Sequence, residues 1–250
     1  MTNHPADAVD GSPVDSSAAA SAAGSAVAPG VAGRTVLIAG ATSAAGVAVA
    51  TALRTAGARV IAVGSNAERL ATFAAEVPDA ITRVCDLSDF AAVNALASEI
   101  RDAAAAHGHG GIDGLIHLVG GWRGGGGLAG QTDEDWDFMH RNVVTTLRNT
   151  TRAFNPDLLA SPAGRLAIVS SVSVDKPAPG GANYAAAKAA AETWTRAVGQ
   201  GFAKAAPDAA AVIFVVRGLE GLEAELATNV VGLWNADAAS VNNTRVRLGE

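Results

Sequence analysis

The chain has few of the features that mark secreted or membrane proteins. Its 250 residues include one cysteine, Cys85, so no intrachain disulfide can form, and a small buried apolar residue is the expected role of that thiol. No uncharged apolar run reaches the roughly 18 residues of a membrane-spanning helix. The N-terminus lacks the basic and apolar regions of a secretory signal. The sequence therefore predicts a cytoplasmic protein that does not interact with a membrane.

Clusters of positive charge are also missing. The formal net charge is −6, from 18 Lys and Arg against 24 Asp and Glu. Proteins that neutralise the phosphates of a nucleic acid present Lys and Arg in clusters. The charge and its distribution therefore argue against nucleic acid as a partner.

Composition divides the chain into a tail and one domain. Residues 1–32 are rich in Ala, Ser, Gly, Pro and Asp and lack large apolar residues, which predicts a disordered tail. Order is expected from Gly33, with one domain over 33–250. There, short apolar runs alternate with helical segments, and aromatic residues make up only 4% of the chain. The pattern predicts an α/β fold, a single Rossmann-like doubly wound parallel sheet of about seven strands with helices on both faces.

The boundaries of the predicted elements follow from the apolar runs and from the helix caps. The predicted strands are 34–39, 59–63, 81–85, 114–119, 165–170, 211–216 and 245–248. The predicted helices are 45–55, 66–76, 89–107, 133–155, 183–206 and 223–233.

A glycine-bearing turn follows the first predicted strand. It reads Ala39-Gly40-Ala41-Thr42-Ser43-Ala44-Ala45-Gly46, and a helix begins within it. The free N–H groups and partial positive charge of a helix N-terminus suit a pyrophosphate, and small residues let a ligand approach the backbone. A tight turn that binds nothing is the alternative interpretation.

Tyr184, the only tyrosine of the chain, stands four residues before Lys188 on a predicted helix. That spacing places the two side chains on one helix face, one turn apart. Reduction of a carbonyl needs a proton donor beside the oxygen, and a phenol serves when its pKa, about 10 when unperturbed, falls toward neutrality. A nearby ammonium lowers the pKa of a phenol because it favours the phenolate. The pair therefore predicts proton-transfer chemistry.

The turn and the Tyr–Lys pair together resemble the short-chain dehydrogenase/reductase family. Ser171 lies thirteen residues before Tyr184 and is similar to the serine of the family's Ser…Tyr-xxx-Lys pattern. Ser170 or Ser173 takes that place if the register of the loop differs. The resemblance covers residues 33–216 and implies that Tyr184 is the general acid/base and that the serine binds the carbonyl oxygen.

Two further catalytic roles rest on the same resemblance. Asn142, within a predicted helix, resembles the family's helical Asn, which helps to order a water in the proton relay. Lys188 is expected to lower the pKa of Tyr184 and to hold the hydroxyls of the nicotinamide ribose. The predicted catalytic set is Asn142, Ser171, Tyr184 and Lys188, with no metal site.

The resemblance also assigns cofactor contacts. The expected residues are Gly40, Thr42, Ser43, Ala44, Gly46, Ser65, Asn66, Asp86, Leu87, Val119, Gly120, Tyr184, Lys188 and Gly218. The turn is similar to the family's TGxxxGxG, but Ala44 replaces the middle glycine and adds a methyl group near the cofactor. No carboxylate stands at Ser65 or Asn66 to repel a 2′-phosphate, so NADP(H) is slightly preferred over NAD(H). A helix cap is the alternative role for those two residues.

Three segments depart from the family's pattern. His117-Leu118-Val119-Gly120 replaces the Asn-Asn-Ala-Gly motif, and His117, placed in the middle of a strand, is expected to be a buried structural residue. Gly218 matches the family's glycine after the sixth strand, but the preceding proline is missing. The substrate-covering insertion before the last helix is nearly absent. The site is then expected to be open, or to be covered by a flexible Gly-rich loop, 122–127, or by a neighbouring subunit.

The resemblance implies an NAD(P)-dependent oxidoreductase that transfers hydride between nicotinamide and a small carbonyl or alcohol. The departures favour an alternative, a non-catalytic dinucleotide-binding or scaffold protein that keeps the fold. A third interpretation is an isomerase or dehydratase that uses the same tyrosine. Members of the family commonly form dimers or tetramers through their two long helices, so a homodimer or homotetramer is expected.

Overall fold

A computed structural model describes residues 30–106 and 110–250 of the chain. No helix in these two ranges has both the length and the apolar character needed to cross a membrane. The elements in chain order are β1 Thr35–Ala39, α1 Ala44–Thr55, β2 Arg59–Gly64, α2 Ala67–Glu76, β3 Ile81–Val84, α3 Phe90–Ala105, β4 Gly114–His117, α4 Asp133–Met139, a π-helical segment His140–Thr145, α5 Thr146–Ala160, β5 Arg165–Ser171, α6 Ala182–Ala205, β6 Ala210–Val216, α7 Glu223–Gly232, α8 Ala238–Val241 and β7 Thr244–Arg247.

The seven strands form one sheet in the order β3-β2-β1-β4-β5-β6-β7. Every neighbouring pair is parallel. Parallel strands need crossover connections, and helices supply them between consecutive strands as far as β6. The predicted Rossmann-like doubly wound sheet is therefore confirmed.

Two hydrophobic cores cover the two faces of the sheet. Alternate residues of β1 point to opposite sides, so Leu37 and Ala39 join one core while Val36 and Ile38 join the other. Residues of α3, α5 and α6 pack into the first core, and residues of α1 and α7 pack into the second. Burial on both faces explains why these strands are continuous apolar runs in the sequence.

The order of the strands reverses between β1 and β4, which lie side by side at the middle of the sheet. Beyond their carboxyl ends, the Leu118 N–H donates to the Ala39 carbonyl at 2.8 Å, and Gly40 begins the next turn. Chains that leave neighbouring strands in opposite directions open a crevice between them, and ligands of doubly wound proteins bind there. The fold therefore places a crevice beside Gly40 and Leu118.

Two boundaries differ from the predicted ones. Val31, inside the predicted tail, is buried in the core, and its carbonyl accepts a hydrogen bond from the Arg34 N–H. The remainder of the predicted tail, residues 1–29, lies outside the described residues. The long helix predicted over 133–155 contains the π-helical segment and continues to Ala160. The apolar pattern in the sequence does not reveal a π-helical segment, because the residues before and after the segment keep the spacing of an α-helix.

The segment between β6 and α7 is short. Six residues, 217–222, connect the strand to the helix, in agreement with the predicted loss of a substrate-covering insertion. α7 then packs against α1 on the second face of the sheet. The carboxyl end of β6 is consequently left without a helical cover from this part of the chain.

Gly114 at the start of β4 tests how tightly the second core is packed. A Cβ at this position would lie 2.7 Å from the buried ring of Trp234, so we expect Gly114→Ala to lower the free energy of unfolding by about 1–3 kcal/mol. Gly232→Ala is the control, because a Cβ there meets open space at the end of α7. Urea unfolding of the two variants measures the difference, and equal stability would contradict the packing described here.

Candidate active site

Tyr184 and Lys188 lie on the first turns of α6, at the carboxyl end of β5. The Lys188 ammonium donates to the Val169 carbonyl at 2.8 Å and lies 5.8 Å from the centre of the Tyr184 ring. Lys188 is 8% exposed, and this burial lowers its pKa to about 8, although the charge of Glu192 opposes the shift. The predicted pair is thus brought together on one face of the helix.

Ser171 is the serine that reaches the tyrosine. Its side chain is near enough to that of Tyr184 to lower the pKa of the phenol, and its hydroxyl lies 3.2 Å from that of Ser173. Ser170 points elsewhere, because its hydroxyl donates to a carboxylate oxygen of Glu192 at 2.7 Å. Side chains alternate along a strand, so the two neighbouring serines cannot face the same partner. Ser170 lines the smaller cavity but is engaged by Glu192, so Ser171 stays the prediction for the family's serine.

The pKa of Tyr184 differs from the expectation. Burial raises it above its ordinary value, and the hydrogen bond from Ser171 offsets only part of that change. The Lys188 ammonium donates to the Val169 carbonyl, at 5.8 Å from the centre of the phenol ring. In this arrangement Tyr184 is a protonated phenol at neutral pH.

Asn142 lies in the π-helical segment, on the wall of the larger of two neighbouring cavities. Its side-chain amide donates to the Phe138 carbonyl at 2.9 Å, and its own carbonyl accepts the Thr146 hydroxyl at 2.7 Å. The residue is thus held by its own helix and is not in hydrogen-bond contact with the Ser–Tyr–Lys group. π-helical turns occur frequently at functional sites.

Two cavities meet at the carboxyl ends of β1 and β4. The larger, about 670 Å³, extends from Ser65 to Asn142, and the smaller, about 170 Å³, includes Tyr184 and Lys188. Residues 118–121 line both cavities and form their common wall. The predicted residues Gly40, Thr42, Ser43, Ser65, Asp86, Leu87, Asn142, Val119 and Gly120 line the larger cavity, and Gly218, Val119, Gly120, Tyr184 and Lys188 line the smaller.

The glycine turn forms one end of the larger cavity. Gly40 has a φ of +83°, and a Cβ there would lie 2.9 Å from the Val119 nitrogen. Gly46 lies away from the cavity, and a Cβ there would overlap the Ala41 carbonyl where α1 packs on the turn. Ala44 is exposed as the first residue of α1 and does not line the cavity. A side chain is therefore excluded at both retained glycines but accommodated at position 44.

The hydroxyl of Ser43 is already engaged as the N-cap of α1. It accepts from the Gly46 N–H at 3.1 Å and donates to the Gly40 carbonyl at 3.2 Å. The turn can therefore bind a ligand through the backbone N–H groups and the partial positive charge at the start of α1.

The far end of the larger cavity is bordered by the residues after β2. Ser65 lines it, whereas Asn66 is the N-cap of α2 and accepts the Arg69 N–H at 2.9 Å, as in the alternative interpretation. Arg69 also lines the cavity, and its guanidinium donates to the Thr42 carbonyl at 3.1 Å. This end of the cavity therefore presents a hydroxyl and a cation.

Asp86 provides a carboxylate on the wall of the same cavity. Hydrogen bonds from the hydroxyl and the N–H of Ser88 hold the pKa of Asp86 below its ordinary value, with a smaller effect from the charge of Arg141. Arg141 lines the cavity but was missed in the sequence, because nothing in its helical surroundings distinguishes it from a solvent-exposed residue. Asp86 is therefore an anionic hydrogen-bond acceptor at neutral pH.

The loop after β4 is anchored beside the smaller cavity. The Gln131 amide donates to the carbonyls of Gly125 and Gly180, at 3.1 and 3.0 Å, and accepts the Asn183 N–H at 3.1 Å. The Gly125 N–H also donates to Gly180 at 2.7 Å. The glycine-rich segment predicted to be flexible is thus tied to the start of α6, and Gln131 is a residue that sequence reasoning missed.

His117 is buried at the end of β4, as expected, and lines the smaller cavity. Its Nε2 atom has no hydrogen-bond partner among the described residues. Burial, with the positive charge of Lys188, lowers the pKa of His117 to about 3. The imidazole is therefore neutral, and one of its nitrogens faces no protein group that satisfies it.

These features fit a bound dinucleotide. Gly40 leaves space that a Cβ would fill, and the start of α1 provides N–H groups for phosphates. The combined cavities fall within the usual size of cofactor sites, roughly 300–1,000 Å³. Asp86 and Lys188 offer an acceptor and a donor for ligand hydroxyls at separate points of the crevice.

The neutral His117 predicts sensitivity to mild acid. The unfolded chain takes up a proton near pH 6.5 but the folded protein only near pH 3, so stability is lost as pH falls through this interval. We expect a loss of about 2 kcal/mol between pH 7.5 and pH 5, which His117→Asn removes. Chemical unfolding at the two pH values measures it. The exposed His140→Asn is the control that retains the loss, and equal loss in both variants would contradict the assignment.

Comparison with known proteins gives consistent results. The family model described as short chain dehydrogenase matches residues 34–216. A Streptomyces violaceoruber protein named as a ketoacyl reductase of the granaticin polyketide synthase is 32% identical over 178 residues, 68% of this chain. The 2,3-dihydro-2,3-dihydroxybenzoate dehydrogenase of Bacillus subtilis is 30% identical over 176 residues, 69% of this chain.

The matched segments span 63% and 65% of the lengths of those two relatives, a little less than two thirds. A metagenomic short-chain oxidoreductase has the same fold, with a TM-score of 0.75 and 24% identity over 87% of this chain and 98% of that one. The family match covers every strand from β1 to β6 and both α5 and α6. This chain is a member of the short-chain dehydrogenase/reductase family.

Proposed function

We propose that the protein is an NAD(P)-dependent oxidoreductase that acts on a small carbonyl or alcohol. The observation that carries the proposal is the buried Lys188, 5.8 Å from the centre of the Tyr184 ring, with both residues on the wall of the smaller cavity. A fold-keeping scaffold has no physical need for a buried lysine beside a buried phenol, because burying an ammonium costs free energy. A catalytic role for Lys188 explains why the chain buries an ammonium despite this cost.

The proposed chemistry divides the work among three side chains. A bound nicotinamide supplies or accepts the hydride. Tyr184 donates its phenolic proton to the substrate oxygen during reduction, and the Ser171 hydroxyl donates a hydrogen bond to the same oxygen. The raised pKa of Tyr184 keeps it protonated and ready to donate. Lys188 donates to ribose hydroxyls and favours the phenolate once the proton has left.

Asn142 has a separate place in the proposal. It lines the larger cavity in the π-helical segment, and its carbonyl already accepts the Thr146 hydroxyl. We propose that it shapes the wall between cofactor and substrate and orders water there, as the family resemblance implies.

The oligomeric state and the location of the protein stay predictions: a homodimer or homotetramer, and the cytoplasm. The mass of the purified protein in solution tests the oligomeric state.

We propose NADP(H) as the preferred cofactor. Ser65 and Arg69 border the end of the larger cavity, where the ribose of adenosine is expected, and no acidic residue lines the cavity next to them after β2. A guanidinium pairs well with a phosphate and has little to gain from a plain hydroxyl. The metagenomic oxidoreductase of the same fold was crystallised in complex with NADP, which supports the choice.

Replacement of Tyr184 by Phe tests the proposed reaction. We expect the rate of carbonyl reduction to fall by at least about 100-fold, because the general acid is lost while the ring remains. The Kd for NADPH, measured by fluorescence, should stay within a factor of about two. Ser173→Ala is the control and keeps most of the activity, since Ser171 makes the contact with Tyr184.

The same measurements separate the proposal from its alternative. Wild-type protein that binds neither NADPH nor NADH would overturn the proposed function. Binding of a cofactor without turnover of a broad set of aldehydes, ketones and alcohols would favour the non-catalytic binding protein. Unchanged turnover in Tyr184→Phe would remove Tyr184 from its proposed role.

Replacement of Arg69 by Gln tests the cofactor preference. The loss of a charge-assisted contact with the 2′-phosphate should weaken NADPH binding by about 10-fold and leave NADH binding unchanged. Arg83→Gln is the matched control, because that arginine of β3 pairs with Glu99 of α3 and does not line the cavity. Equal effects of Arg69→Gln on both cofactors would contradict a phosphate-specific role.

A further inference from the structure

Glu192 is a buried carboxylate that the proposed reaction does not use. It lies on α6 one turn after Lys188, and it is 1% exposed. An ionised carboxylate in the interior is costly unless charged or hydrogen-bonding partners surround it. Glu192 therefore needs hydrogen-bonding and charged partners, and residues of two strands, β5 and β7, provide them.

Hydrogen bonds and an ion pair hold the carboxylate of Glu192. One oxygen accepts the Ser170 hydroxyl at 2.7 Å and the Arg245 Nη2 at 3.1 Å, and the other lies 3.1 Å from the Arg245 Nε in an ion pair. A guanidinium that binds both oxygens of a carboxylate sets its orientation as well as its charge. Arg196, which is 47% exposed, adds a longer contact at 3.4 Å. Glu192 is thus held in one position as an anion.

Arg245 connects this carboxylate to the end of the chain and to the serine loop. It lies on β7, the last strand, and its guanidinium also binds the Asp175 carboxylate at 2.9 and 3.2 Å. Asp175 follows the short helical turn that contains Ser173. Arg247 adds a further contact with Asp175 at 3.3 Å. The last strand therefore holds both α6 and the segment after Ser171.

Glu192 provides the negative charge near Lys188, because the other groups described around the ammonium are neutral. His117 approaches from β4 and is neutral, and Tyr184 on α6 is a protonated phenol. Val169 on β5 contributes a carbonyl, which accepts from the ammonium. Glu192 is the group whose charge favours the ammonium, against the cost of burial.

We propose that Glu192, held by Ser170 and Arg245, is a positioning residue that keeps Lys188 charged inside the site. The inference rests on the proposed function, because it assigns Lys188 a role there. It extends the functional unit to β7, which lies outside the residues that match the family model. Glu192 acts through Lys188 and touches neither substrate nor cofactor.

The chain is well suited to a direct test, because it contains only three lysines, Lys176, Lys188 and Lys204. Protein labelled with 13C-lysine gives three titrating side-chain signals by NMR, and Lys188→Met assigns the one of interest. We expect Glu192→Gln to lower the Lys188 pKa by about one unit, since the opposite charge is removed while the hydrogen-bonding shape remains. Arg196→Gln, which removes the exposed partner of Glu192, should leave it unchanged.

A second variant guards against a failure to fold. Glu192→Gln leaves Arg245 without its buried partner, so the double variant Glu192→Gln/Arg245→Gln replaces both charges by amides. The Lys188 pKa should fall less in the double variant than in Glu192→Gln, because the loss of the Arg245 cation opposes the loss of the Glu192 anion. Thermal unfolding confirms that each variant is folded. An unchanged Lys188 titration in folded Glu192→Gln, or equal shifts in the single and double variants, overturns the inference.

Activity provides the second readout. The alkaline limit of kcat/KM for NADPH-dependent reduction should move to lower pH by about the same unit in Glu192→Gln, because Lys188 loses its proton earlier. A shift of the NMR titration without any cofactor binding in the wild-type protein supports the Glu192–Lys188 pairing and overturns only the proposed function. Cofactor binding and turnover with an unshifted limit overturn the inference alone.

Discussion

Burial of the Lys188 ammonium is the constraint on which the rest of the site depends. A cation removed from water needs an acceptor and an opposite charge at fixed places. Val169 supplies the acceptor at the end of β5, and Glu192 supplies the charge one turn along α6. Both groups reach Lys188 only while α6 packs against β5. The charge of the Lys188 side chain therefore depends on the packing of this helix on the sheet.

The same packing determines which serine meets the tyrosine. Ile168 and Ser170 face the core that contains α6, and Ser170 therefore meets Glu192. Ser171 lies where the strand ends, and its hydroxyl caps the following turn by accepting the Ser173 N–H at 3.1 Å. Ser171, the last residue of β5, is thus held by the turn that follows the strand, whereas Ser170 is held by α6.

Features that depend on local spacing were predictable from the sequence, and those that depend on distant pairing were not. The parallel α/β fold followed from alternating apolar runs, and the placement of Tyr184 and Lys188 on one helix face followed from helical periodicity. The choice of Ser171 required the end of β5, which lies one residue later than predicted. Glu192 was missed because its partner Arg245 lies 53 residues further along the chain. No short-range pattern records such a pair.

The pKa of Tyr184 shows a related limit. Spacing places an ammonium one turn from a phenol, which predicts a lowered pKa, but spacing does not say where the ammonium points. In the folded chain it points at Val169, and burial of the phenol dominates. A charged ligand near the phenol would change that balance, so the pKa of Tyr184 is a property of the filled site.

The departures of the cofactor turn from the family pattern have a steric explanation. Gly40 has a backbone conformation that disfavours side chains and lies against the backbone at Val119, and Gly46 lies against the carbonyl of Ala41. Ala44 instead stands exposed at the first position of α1, where a methyl group meets solvent and suits a helix. The turn has therefore kept glycine where a Cβ would collide with backbone and lost it where a Cβ is accommodated. The geometry that leaves room for a dinucleotide persists although the motif is incomplete.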